Sequence, residues 1–222
     1  MNRPASTATL AAAAAAAFLL LPPQAHAHPH VFADASLEVA VASDGTVEAL
    51  GHVWRFDDLF SSTVLLEFDK NQDLKLDAAE LEEVAGVVHG SLAEFGYFQM
   101  VVANGKDVAM RAPDRLIATF ENEQLVIMFR SEPAEPLKLT GKVDFGIYDP
   151  TFYTAIDFVE DEMMMVDNLP GTCSRTVVRP DPDEAIAQNQ QTLTEAFFED
   201  PSNNDYSKLF ATRLELNCGA TG

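Results

Sequence analysis

Between Val31 and Val41 every odd position is apolar (Val31, Ala33, Ala35, Leu37, Val39, Val41), while the even ones include Asp34, Ser36 and Glu38. That period of two predicts a strand with one face in the core and one in water. A second strand is expected from Thr46 to Phe56, joined to the first through Ser43-Asp44-Gly45 as a three-residue hairpin loop with Gly45 in the left-handed region. Ala42 then pairs with Thr46, and Val47, Ala49 and Val53 continue the core face. In that register His52, Trp54 and Phe56 share the opposite face with His30, Phe32 and Asp34.

Beyond Asp57-Asp58 the period changes. Phe60, Val64, Leu65 and Phe68 follow helical spacing, and so do Leu81, Val84, Ala85, Val88 and Leu92, so two helices flank residues 69 to 80 within an insertion at about 57–94. Strand patterns return at residues 98 to 103, 108 to 110, 116 to 120, 125 to 129 and 137 to 147, with Asn104-Gly105 and Glu121-Asn122-Glu123 as turns. A last helix is predicted from 184 to 198, entered through Pro180-Asp181-Pro182-Asp183, with Ile186, Gln190, Leu193 and Phe197 on one face.

The loop between the first two helices reads Asp-Lys-Asn-Gln-Asp-Leu-Lys-Leu-Asp-Ala-Ala-Glu. Asp69, Asn71, Asp73, Asp77 and Glu80 therefore occupy positions 1, 3, 5, 9 and 12, and Lys75 offers its carbonyl at position 7. Calcium takes six to eight oxygens at those offsets, with a bidentate Glu last. Leu74 stands at position 6, where the sharp turn normally takes Gly, and a non-Gly residue at positive φ costs about 1 to 2 kcal/mol. Two readings stay open: a calcium-binding, EF-hand-like loop, or an acidic turn held without an ion by Asn and Asp side chains bonding to nearby backbone. The fold class predicted from these patterns is α+β: a mainly antiparallel β-sandwich with an inserted EF-hand-like helical pair and a C-terminal helix.

Charge narrows the function classes. Fourteen Lys and Arg face 35 Asp and Glu in 222 residues, a formal charge of -21, so phosphate backbones and anionic membrane surfaces repel the chain and cations are favoured. Residues 1 to 27 have the form of a cleavable export signal: Arg3, an apolar run from Leu10 to Leu21, and the small-x-small site Ala25-His26-Ala27. That run is too short to cross a bilayer of about 30 Å as a helix, so the expectation is one periplasmic domain over 28–222 with no membrane span after cleavage. In an oxidising compartment the two cysteines, Cys173 and Cys218, are expected to form a disulfide.

Cleavage after Ala27 exposes His28-Pro29-His30. A terminal His28 offers its α-amine and its ring, and Pro29 has no N–H, so His30 must act through its imidazole. With Asp34 and His52 on the same predicted face, His28, His30, Asp34 and His52 form a candidate site for nickel, cobalt or zinc; the plainer alternative is a solvated chain end with incidental histidines. His89, among Ala85 and Leu92, reads as a helix-surface or core histidine.

The ordered segments His28-Pro-His-Val-Phe-Ala-Asp34, Val53-Trp-Arg-Phe-Asp57, the acidic loop from Phe68 to Glu80, Glu94-Phe-Gly-Tyr-Phe98 and Tyr148-Asp-Pro-Thr-Phe-Tyr153, with Cys173 beyond, resemble domain-of-unknown-function family 1007 over essentially the whole mature chain. The resemblance implies a periplasmic component of an uncharacterised transport system, commonly found beside nickel/cobalt-type permeases; His28, His30 and Asp34 match the family's opening motif, whereas Leu74 departs from its usual Gly. The function expected is therefore a metal-binding accessory to an inner-membrane divalent-metal permease. A calcium-binding structural or regulatory module is the alternative, and a copper oxidase using a terminal histidine brace is a third. No Ser/His/Asp set, phosphate-cradling Gly loop or His-Glu-x-x-His helix argues for an enzyme.

Overall fold

The computed structural model describes residues 29–190 and 205–219. The strands form two mostly antiparallel sheets. The first hairpin joins β1 (Val31–Val41) to β2 (Thr46–Phe56). Its turn is the one expected: the Ala42 N–H donates to the Thr46 carbonyl at 2.8 Å, and Gly45 sits at φ 79°. The next strands are β3 (Gln99–Ala103), β4 (Lys106–Asp107), β5 (Ile117–Glu121), β6 (Gln124–Ser131), β7 (Leu137–Lys138) and β8 (Gly141–Ile147). Then follow β9 (Thr154–Asp157), β10 (Met164–Asp167), β11 (Cys173–Val178) and β12 (Arg213–Cys218).

The first sheet runs in the order β10-β1-β2-β6-β5, with β9 pairing to β1 and β7 to β2; only β9 and β10 lie parallel to β1. The second runs β11-β12-β8-β3-β4. Leu37, Trp54, Ile127 and Phe129 of the first sheet and Val143, Phe145, Leu214 and Leu216 of the second belong to one buried cluster. Burial of such apolar surface is the main term holding the two sheets together.

Three departures from the sequence reading have physical causes. Residues 137 to 147 form two strands, not one, because Gly141 at φ 67° turns the chain from the first sheet into the second. A Cβ there would lie 2.2 Å from Asn104 Oδ1, so only Gly fits. Residues 108 to 110 form no strand; Met110 makes a single bridge to Pro133. The third departure changes the candidate chemistry. Pairing runs Val41↔Val47 and then Ala40↔Ala49, so Glu48 is an extra residue in β2. Such a bulge reverses the alternation beyond it. Leu50, His52, Trp54 and Phe56 therefore enter the core, at 0%, 1%, 1% and 7% exposure, and Val53 turns outward.

Between β2 and β3 lie α1 (Asp58–Phe68) and α2 (Ala78–Ala93), close to the expected helices. Asp57 caps α1 by accepting from the Phe60 N–H, and Asp77 caps α2 with a reciprocal bond from its own N–H to Glu80. The last helix, α3 (Pro182–Gln188), is capped by Asp181 and begins two residues before the predicted start at 184; it ends at Gln188, with Asn189 as C-cap and Gln190 in a turn. Its expected continuation, with Leu193 and Phe197, lies outside the described residues.

Cys173 and Cys218 form the expected disulfide and face each other across the β11–β12 pair. The bond closes a separation of 45 residues, for which chain entropy assigns about 4 kcal/mol. Reduction, or the double substitution of both cysteines by Ser, is expected to lower the unfolding free energy by about 2 to 4 kcal/mol. Urea denaturation with and without reductant measures this, and an unchanged midpoint contradicts it.

Candidate functional site

Among the described residues the structure does not bring His30, Asp34 and His52 together. His28 lies outside the described residues. His30 and Asp34 are exposed on one edge of β1, yet four residues of extended chain separate their Cα atoms by about 13 Å. The His30 ring instead lies against Tyr153, centroids 5.1 Å apart. His52 is on the opposite side of the sheet, 1% exposed, stacked on Phe129 at 4.4 Å and edge-on to Trp54 at 6.1 Å. Among the described residues no three His, Cys, Asp or Glu side chains converge as a metal site. The signal for the reversal was present in the sequence. Apolar positions switch from odd (Val47, Ala49) to even (Leu50, Trp54, Phe56), and the adjacent pair Ala49-Leu50 marks the switch.

Several oxygen- and sulfur-bearing side chains beyond β8 are engaged within the fold. Asp149 is buried and accepts from the Thr151 N–H, the Thr151 hydroxyl and the Thr154 N–H, which closes the turn before β9. Asp157 and Asp161 pair with Arg179. Met164 is fully buried while Met165 is half exposed, so the three consecutive methionines point in different directions.

The acidic loop keeps its expected donors in one turn. The Asp69 carboxylate accepts from the Asp73 N–H through Oδ1 at 3.1 Å and from the Leu74 N–H through Oδ2 at 2.8 Å. Asn71 Oδ1 accepts from the Asp73 N–H, and Asp73 Oδ1 from the Lys75 N–H. Leu74 occupies the left-handed region at φ 62° with its side chain in solvent, 70% exposed. The turn normally given to Gly is therefore formed here by Leu, at a cost of about 1 to 2 kcal/mol. Glu80 is 5% exposed and spans the loop, Oε1 accepting from the Lys70 N–H at 2.8 Å and Oε2 from the Asp77 N–H at 2.9 Å. The geometry is that of the self-bonded acidic turn: backbone N–H groups occupy oxygens of Asp69, Asn71, Asp73 and Glu80, and the loop's carboxylates do not converge as a metal site.

A strained segment that the sequence did not reveal follows α2. Tyr97 and Phe98 both adopt φ 57°, next to Gly96 at the same angle. Both are buried, Phe98 stacked on Trp54 at 5.9 Å and Tyr97 within 3.2 Å of His89 Nε2 through its hydroxyl. Two left-handed non-Gly residues cost about 2 to 4 kcal/mol together, offset by the burial of both rings.

Burial drives the His52 pKa down from 6.5 to about 3, opposed by a weaker interaction with the Gln99 side chain. Neither ring nitrogen meets a hydrogen-bond partner among the described residues. The unfolded chain takes up a proton near pH 6.5 that the folded chain refuses until about pH 3, so stability is full above 6.5 and falls as pH drops through that window. The expected loss is on the order of 4 kcal/mol. Urea titrations at pH 7 and pH 4 should show His52→Leu losing less stability on acidification than the parent protein, with no loss at pH 7. Equal acid sensitivity of the two proteins contradicts the assignment.

A family profile described as a protein of unknown function (DUF1007) matches residues 13–218. No curated protein matches the chain. Among solved structures, AChBP from Bulinus truncatus aligns over 96% of this chain and 97% of its own with 11% identity and a TM-score of 0.32, a likeness too low to carry an argument. The chain belongs to the DUF1007 family.

Proposed function

We propose that the protein is an exported cation-binding module whose EF-hand-like loop, residues 69 to 80, takes calcium, carried on a β-sandwich formed by its two sheets. The observation that carries this reading is the Asp69 carboxylate gathering the Asp73 and Leu74 N–H groups while Leu74 holds the left-handed turn. The residue types suit the ion, since Asp69, Asn71, Asp73, Asp77 and Glu80 carry hard oxygens and Lys75 a carbonyl, but their carboxylates do not converge in this structure, so binding requires the loop to rearrange. Calcium requires Glu80 to give up its two N–H partners and turn to the ion, so binding and the packing of the loop against α2 are linked. The net charge of -21 favours cation uptake over anion binding.

A transition-metal role beside a divalent-metal permease in the periplasm is a second reading, favoured by the exposed His30 two residues after His28. It now rests on His28 and His30 alone, because His52 is buried in the core. Such a site would bind ions through imidazole nitrogen and compete weakly with calcium, which takes oxygen donors.

Calcium at a hundredfold excess over its dissociation constant is expected to stabilise the protein by about 2.7 kcal/mol, read as a rise in Tm that EDTA reverses. Glu80→Gln should abolish the rise, and Leu74→Gly should strengthen binding by relieving the left-handed Leu. A Tm unmoved by millimolar calcium in both the parent and Leu74→Gly overturns the proposal.

A further inference from the structure

Between the helix pair and the first sheet lies a cavity of about 390 Å³. Its floor is aromatic: Trp54, Phe56 and Phe98, each less than a tenth exposed. Val64 of α1 and Val84 of α2 form buried walls, with the half-buried rings of Phe60 and Phe68 beside them. At the mouth Thr63, Glu67, Val87 and Ser91 face solvent, and Tyr153 is 51% exposed. Protein interiors normally close such a space by packing; here six aromatic rings surround it and leave it open. The volume falls in the range of small-ligand sites, whose walls are mostly apolar with a few polar groups fixing orientation.

The charge at the mouth selects the ligand. The lining contains one carboxylate, Glu67, and no Lys, Arg or His. A fatty-acid anion placed here meets repulsion at the mouth and no compensating cation. An ammonium head at the mouth meets the Glu67 carboxylate beside an aromatic lining, and cations are attracted both to carboxylates and to aromatic faces. Phe98, held in the left-handed region at φ 57°, and Trp54 stacked on it fix the floor independently of any ion in the loop.

We propose that this cavity binds a hydrophobic organic cation, its alkyl or aromatic body between α1, α2 and the floor rings and its ammonium head at Glu67. The inference does not rest on calcium binding, so it is tested in EDTA. Trp54 is the only tryptophan of the chain and lies in the cavity floor, so its emission reports occupancy directly. Titration of the full chain with decyltrimethylammonium below its micelle concentration should change Trp54 emission saturably at one equivalent, and decanoate should bind at least tenfold more weakly. Glu67→Gln should weaken the cation about two- to fivefold, as expected for an exposed charge pair. Thr63→Phe, a substitution at the exposed mouth, should abolish the response while leaving Tm unchanged. No saturable response to the cation, decanoate binding as tightly, or an unaltered titration in Thr63→Phe with Tm retained overturns the proposal.

Discussion

One extra residue in the second strand governs the rest of the structure. With Glu48 bulged out of the β1–β2 ladder, the side chains after it reverse their faces. Leu50, His52, Trp54 and Phe56 then turn into the core, where Trp54 and Phe56 line the space between the sheet, the helix pair and Phe98. Without the bulge, a tryptophan, a phenylalanine and a leucine would face water, and Val53 and Arg55 would face the core. Burying three large apolar side chains, each favoured by roughly 1.5 to 3 kcal/mol, outweighs the ladder bonds disturbed at one bulge. The same reversal carries a histidine into the core with no hydrogen-bond partner for either nitrogen among the described residues, a cost that the stacking on Phe129 offsets in part.

The helix pair and its loop are tied to that core from above. Asp57 and Asp77 cap the two helices, and Glu80 closes the loop on Lys70 and Asp77. The helices that flank the acidic loop are also those that wall the aromatic cavity, through Val64 of α1 and Val84 of α2.

Much of this was legible from residues alone. The period-two run of β1, the Ser43-Asp44-Gly45 turn, both inserted helices, the self-bonding of the acidic turn and the Cys173–Cys218 bond follow from local chemistry. Position-by-position alternation could not anticipate a residue skipped in the register, so the proposed grouping of His52 with His30 and Asp34 failed although Ala49-Leu50 marked the place. Even on the expected face, His30 and Asp34 are too far apart along an extended strand to share one ion. The four C-terminal strands β9 to β12 were also missed, because short strands such as Thr154–Asp157 gain their identity from partners distant in sequence and not from their own pattern. The left-handed Tyr97 and Phe98 had no local signal beyond Gly96, since tertiary burial imposes that conformation.

The central claim is that the acidic loop is a calcium site and not merely a self-bonded turn. A crystal structure grown in calcium tests it most directly. The account predicts one ion with oxygens of Asp69, Asn71, Asp73, Asp77 and Glu80 and the Lys75 carbonyl at about 2.3 to 2.6 Å, and Glu80 detached from the Lys70 and Asp77 N–H groups. A calcium-free loop with Glu80 still bonded to both contradicts it.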